Sequence, residues 1–141
     1  MSYLLDTNVL SKLVKRRKNT GVLDWLAATE GADHHVSVMS IGEIRRGIGL
    51  LRLRSDHLQA ERFATWLDKT IAEFGTRIVP VTTAIAEQWG HYDARRPRPI
   101  VDGLIGATAA AYGWTLVTRN TKDFAHLDVP LLNPFSEEVD R

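Results

Sequence analysis

Four carboxylates stand out in this chain for where they fall: Asp6, Glu43, Asp102 and Asp123. Asp6 closes the apolar run Tyr3-Leu4-Leu5 and precedes Val9, Leu10, Leu13 and Val14, which have helical spacing. An apolar run without alternation suits a strand buried on both faces of a parallel sheet. Asp6 thus sits where a central strand hands over to a helix, and the carboxyl ends of strands are where open α/β sheets bind ligands. Glu43 falls in the first turn of a helix opened by Ser40, just after a candidate strand at residues 35–38. Asp102 precedes the small-residue helix of Leu104, Ile105, Ala107, Thr108 and Ala111. Asp123 lies a few residues past a candidate strand at 115–118.

Each acid also has a purely structural explanation. Asp6 and Asp102 suit helix N-caps. Ser40-Ile41-Gly42-Glu43 matches a capping box, in which Glu43 reaches back to the N–H of Ser40. Asp123 suits a turn residue paired with Lys122. Taken together, these explanations require four unrelated acids to fall near one sheet edge. Four carboxylates around one cavity do not all stay ionised without a cation. Oxygen-only ligands select hard, octahedral ions, here Mg²⁺ or Mn²⁺. The chain has no cysteine, and its five histidines show no metal spacing, which argues against zinc. His34 and His35 are adjacent, so in a strand they point to opposite faces.

The elements that must carry these acids alternate. Helical spacing is seen at residues 22–28, at Ile41, Ile44, Ile48 and Leu51, and over 56–74 before Gly75. A third strand is expected at 77–81, ended by Pro80, then a helix at 82–92 and a basic loop, Arg95-Arg96-Pro97-Arg98-Pro99. Gly113 caps the small-residue helix, and a short fifth strand is expected at 129–132. Strands alternating with helices predict a central parallel sheet in an α/β/α sandwich with helices on both faces. A length of 141 residues fits one domain, 1–141.

A hydrophobic fraction of 44% and a charged fraction of 25% are ordinary for a soluble domain, and a net charge of +1 gives no whole-molecule field toward nucleic acid. The cations are nevertheless clustered: Lys12 to Lys18, Arg45 to Arg54, and Arg95, Arg96 and Arg98. No signal peptide or membrane-length apolar run is visible, so a cytoplasmic protein is expected.

Four stretches, in order, resemble the PIN-domain ribonucleases, most nearly the VapC and FitB type of bacterial toxin. They are Leu4-Leu5-Asp6-Thr7-Asn8-Val9-Leu10, Glu43-Ile44-Arg45-Arg46-Gly47-Ile48, Asp102-Gly103-Leu104-Ile105-Gly106-Ala107 and Val117-Thr118-Arg119-Asn120-Thr121-Lys122-Asp123-Phe124. The resemblance spans nearly the whole chain. It implies an Mg²⁺- or Mn²⁺-dependent endoribonuclease, a cognate antitoxin, and a homodimer. It maps the family's acids onto Asp6, Glu43, Asp102 and Asp123, and its small polar helpers onto Thr7, Asn8, Thr118 and Asn120. On this reading Asp6 and Asp102 ligate metal directly, Glu43 and Asp123 directly or through water. Gly106 replaces a usual alanine, which is expected to loosen its helix. Arg95, Arg96 and Arg98 are expected to hang over the active edge and meet RNA phosphates. The apolar residues Leu10, Leu13, Val14, Val22, Trp25 and Leu26 are expected to leave a groove for an antitoxin helix.

Three rivals have discriminating features. An aspartyl phosphatase wants a second Asp two residues after the first, and position 8 is Asn. A phosphoryl-accepting receiver domain wants paired acids on the first strand, which Asp6 lacks. A non-catalytic PIN fold would bind RNA or a partner without cutting.

Overall fold

The structure, a computed structural model, describes residues 1–15 and 17–137; Arg16, in the first basic cluster, lies outside the described residues. Strands β1 (Ser2–Leu5), β2 (Asp33–Ser37), β3 (Ile78–Val79), β4 (Thr115–Val117) and β5 (Leu131–Leu132) form one sheet in the order β3-β2-β1-β4-β5. Every pairing is parallel, with Leu5 level with Val36 on one side and Val117 on the other. The chain winds outward from β1 through β2 to β3, then crosses back to β4. The winding therefore reverses between β1 and β4, and such a switch point opens a crevice at the carboxyl ends of the two strands. Asp6 follows β1 there and Thr118 follows β4.

Helices cover both faces: α1 (Thr7–Lys12), α2 (Thr20–Ala28), α3 (Val38–Leu53), α4 (His57–Phe74), α5 (Thr83–Arg95) and α6 (Ile100–Tyr112). The pleat of β1 divides its side chains. Tyr3 and Leu5 join one core with Val9, Leu10, Val22, Ile48 and Leu67. Leu4 joins the other with Ile105, Ala109, Leu116 and Phe124. The two adjacent histidines of β2 obey the same rule, His34 stacking on Tyr3 and His35 on Trp114. The expected α/β/α sandwich is the architecture found.

Both sheet edges are short. β3 has two residues and runs straight into Pro80, and β5 has two residues and follows Pro130.

Three local expectations are corrected. Helix α3 starts at Val38, because the buried Ser37 at the end of β2 caps it by accepting from Met39 N–H at 3.0 Å. Ser40 is therefore inside the helix, and the capping box with Glu43 does not form. Helix α5 runs on to Arg95, since the first proline that stops it is Pro97, so Arg95 is helical rather than in the loop. Helix α6 runs unbroken through Gly106, which is buried. A Cβ there would lie 2.6 Å from Leu127 Cδ1, so glycine admits the neighbouring chain rather than loosening the helix. Close approach also explains Gly21, where a Cβ would lie 2.4 Å from the backbone nitrogen of Ser136.

Of the six apolar residues expected to line a groove on the first two helices, Val14 alone lines one among the described residues. Leu10, Val14 and Val22 are buried, and Leu13, Trp25 and Leu26 pack against the same core. A groove of about 1030 Å³ lies instead among α1, α3 and α4. Among the described residues, no helix is long and apolar enough to cross a membrane.

Candidate active site

The switch point explains how residues far apart in sequence meet. Asp6 is 4% exposed. One carboxylate oxygen caps α1, accepting from Thr7 N–H at 2.8 Å, as the capping explanation requires. The other accepts from the Thr118 hydroxyl at 2.8 Å, across the β1–β4 junction. Thr118 is itself fixed, because its oxygen accepts from Asn120 N–H at 3.0 Å. A buried carboxylate with only two donors is poorly compensated for lost hydration. Burial pushes the Asp6 carboxyl from 3.8 up to about 6; the two hydrogen bonds pull it down, and the charges of Asp102 and Glu43 push it further up.

Glu43 is held from β1's side of the crevice. The Thr7 hydroxyl donates to Glu43 Oε1 at 2.6 Å and lies 2.8 Å from the hydroxyl of Ser40, which is fully buried. Starting α3 at Val38 makes this possible: it frees Glu43 from capping and turns Ser40 and Glu43 toward α1. Ser40 was legible in the sequence only as a cap, so its contact with Thr7 is a residue role that spacing missed.

The remaining acids arrive from the other side. Asp102 is the third residue of α6, half-buried, and Pro99 rather than Asp102 occupies the cap position. Capping therefore does not explain Asp102. Burial raises its pKa, the charge of Asp123 adds to that, and Arg98 opposes it. Asp123 lies on the helical turn Thr121–Phe124, with its side chain 55% exposed. Asn8 accepts weakly from Arg119 N–H at 3.4 Å, and Asn120 contributes its backbone N–H, which donates to the Thr118 hydroxyl oxygen.

The basic residues separate. Arg95 and Arg96 are exposed. Arg98 is not poised over solvent: its guanidinium donates to the Asp123 carbonyl oxygen and pairs with the Asp123 carboxylate at 3.7 Å. In the second cluster, Arg45 pairs with Asp68 and Arg52 with Glu61, tying α3 to α4 on the surface. Exposed pairs of that kind contribute little stability.

The four acids are thus electrostatic neighbours in a chain, Asp6 feeling Glu43 and Asp102, and Asp102 feeling Asp123. Among the described residues, no three Asp, Glu or His side chains converge closely enough to form a finished ligand cage. The donor set nevertheless fits a hard divalent cation. It is all oxygen, mutually repulsive, and includes a buried carboxyl whose pKa is raised, the condition a cation relieves.

The sequence and the fold match a known family. The PIN-domain model matches residues 3–130, and the chain belongs to that family. Within it, toxin FitB of Neisseria gonorrhoeae is 33% identical over 141 residues, covering 95% of this chain and 99% of FitB. The VapC ribonuclease Y4jK of Sinorhizobium fredii is 24% identical over 143 residues, covering 94% of this chain and 96% of its own. Among solved structures, FitAcB from Neisseria gonorrhoeae superposes with a TM-score of 0.82 at 29% identity, covering 94% of this chain and 97% of the other. A toxin–antitoxin complex from Klebsiella pneumoniae gives 0.68 at 25% identity, covering 96% and 99%.

Proposed function

We propose that this chain is a divalent-metal-dependent endoribonuclease and the toxin of a toxin–antitoxin pair. The observation that carries the reading is the line of four oxygen-donor acids along the switch-point crevice, among them a buried Asp6 that feels the charges of Glu43 and Asp102. The names of the relatives, a toxin and a ribonuclease, agree with it. Asp6 and Asp102 would hold Mg²⁺ or Mn²⁺ directly, and Glu43 and Asp123 directly or through water. The bound ion would supply a water nucleophile near neutral pH and offset charge on the scissile phosphate. The chain's own groups do the rest. Thr118 and Thr7 orient the carboxylates of Asp6 and Glu43. Glu43, which lines the groove beside that network, would take the proton of an attacking water. Asn8 and Asn120 stand at the rim, where they would donate to a phosphate oxygen. Arg95 and Arg96 would neutralise backbone phosphates.

The antitoxin would lie in the groove among α1, α3 and α4. Val14, Ile44, Leu51 and Phe63 give it an apolar floor, and Thr7 and Glu43 line it as well, so an occupant reaches Glu43. An amphipathic helix fits such a groove. A homodimer in a cytoplasmic setting belongs to the same reading.

The test is to incubate purified protein with mixed cellular RNA, with and without Mg²⁺ or Mn²⁺, and to sequence the cut ends. Discrete new ends are expected with metal and none with EDTA. Full cleavage in excess EDTA overturns metal dependence. Harmless expression of confirmed soluble protein in a bacterial host counts against the toxin role. A non-catalytic reading draws on the open spacing of the acids; RNA binding without cleavage at any metal concentration would favour it.

A further inference from the structure

Arg98 is more enclosed than its neighbours Arg95 and Arg96, which are exposed. Its side chain is 19% exposed, against 55% for its partner Asp123. Its guanidinium reaches both the backbone carbonyl and the carboxylate of Asp123. Its backbone N–H donates to the Asp93 carboxylate on α5 at 3.0 Å. Prolines 97 and 99 flank it. The first fixes its own φ, and the second confines Arg98 to extended backbone, so the segment is stiff before any contact forms. Beneath it lies a cavity of about 10 Å³ lined by Trp89, Arg98 and His126. Each of these contributes a buried nitrogen without a protein partner: Trp89 Nε1, Arg98 Nε and His126 Nδ1. That space suits a single water and nothing larger.

Asp123 needs such a support. It is carried on one helical turn beyond the sheet, whereas Asp6 is locked by β1, α1 and β4. Among the described residues, the hydrogen bonds and ion pairs of Asp123 beyond its own turn are those with Arg98. We infer that Arg98 is a positioning residue: a clasp from the α5–α6 connection that sets the Asp123 turn against Asp102 and so builds the outer half of the cation site. It rests on the metal-site reading above.

The sign of the effect distinguishes a clasp from a simple counter-charge. A guanidinium beside two carboxylates repels a divalent cation, so on charge alone its removal tightens metal binding. A clasp predicts the reverse, because a misplaced ligand group weakens metal affinity by roughly tenfold or more. Lysine keeps the charge but not the planar fork that reaches carbonyl and carboxylate together.

The experiment is a Mn²⁺ titration of wild type, Arg98→Ala, Arg98→Lys and Asp93→Ala, with free Mn²⁺ read by electron paramagnetic resonance and folding checked by circular dichroism. Wild type is expected to bind. Arg98→Ala and Arg98→Lys are expected to bind roughly tenfold more weakly, and Asp93→Ala more weakly by a smaller factor. If Arg98→Ala fails to fold, the other two variants carry the test. Unchanged or tighter binding in Arg98→Ala, or full affinity in Arg98→Lys, overturns the clasp while leaving the metal site standing. No Mn²⁺ binding by wild type overturns the metal site, and the clasp with it.

Discussion

The two halves of the acidic edge are built differently. The inner half, Asp6 with Thr7, Glu43 and Thr118, stands on the ends of the two central strands and is cross-bonded at 2.6–2.8 Å. The outer half, Asp102 and Asp123, stands on a helix start and a single turn, with Arg98 paired to Asp123. The inner half is tied down because Asp6 and Thr118 directly follow the buried strands β1 and β4, and side-chain bonds link them to Thr7 and Glu43 on α1 and α3. The outer half depends on side-chain ties that local motion can break. A site so divided keeps a fixed anchor for a cation and leaves its solvent side adjustable, where a long polyanion has to enter and leave.

Breaking the inner half should have the largest effect. Asp6→Asn keeps an N-cap donor partner and so should fold, yet cleavage with Mn²⁺ should fall by on the order of a thousandfold or more, measured on a defined RNA. The same variant tests the raised pKa. Asp6 has a folded value of about 6 against 3.8 ordinarily, so its protonated form favours the fold. That contribution is complete below about pH 4 and is lost as pH rises through about 6. In metal-free thermal melts, wild type should lose stability relative to Asp6→Asn across that window, by roughly 3 kcal/mol at most. A constant difference between the two would show that Asp6 is not held in an unfavourable ionised state.

Next in size is Thr118→Val. It removes a bond that lowers the Asp6 pKa, so the carboxyl should titrate higher still. Because metal needs the carboxylate deprotonated, half-maximal Mn²⁺ binding should move to higher pH, with affinity near neutrality down roughly tenfold. Asp123→Asn should cost less than Asp6→Asn in Mn²⁺ affinity, since Asp123 is exposed and held by fewer ties. Equal losses would erase the contrast between the halves. The smallest chemical effect should come from Arg95→Ala with Arg96→Ala. RNA affinity and its salt slope should drop, the slope by up to about 2, while cleavage at saturating RNA changes little.

Much of this was legible before any coordinates. The apolar run ending at Asp6 announced a central strand, because burial on both faces removes alternation. The four acids stand out for a similar reason: strand ends and helix starts carry turn chemistry that can be read one segment at a time. Partnership between segments was not legible. Ser40 and Glu43 have the spacing of a capping box, but Ser37 takes the cap three residues earlier because its buried hydroxyl faces the helix start. Arg98 reads as one more cation in a basic loop until its inward turn is seen. Leu13, Trp25 and Leu26 looked superfluous because the sequence does not say that a second helix layer, α3 and α4, shares their core. In each case the missing quantity was a long-range contact, for which local periodicity carries no signal.

The blunt sheet edges have a consequence for behaviour at high concentration. Each outer strand offers two residues, with Pro80 after one and Pro130 before the other. A growing intermolecular β-ladder needs a longer row of free N–H and C=O groups than that. Self-association of this chain is therefore directed to helix surfaces, and concentrated solutions should show no rise in amyloid-dye fluorescence while the fold is intact.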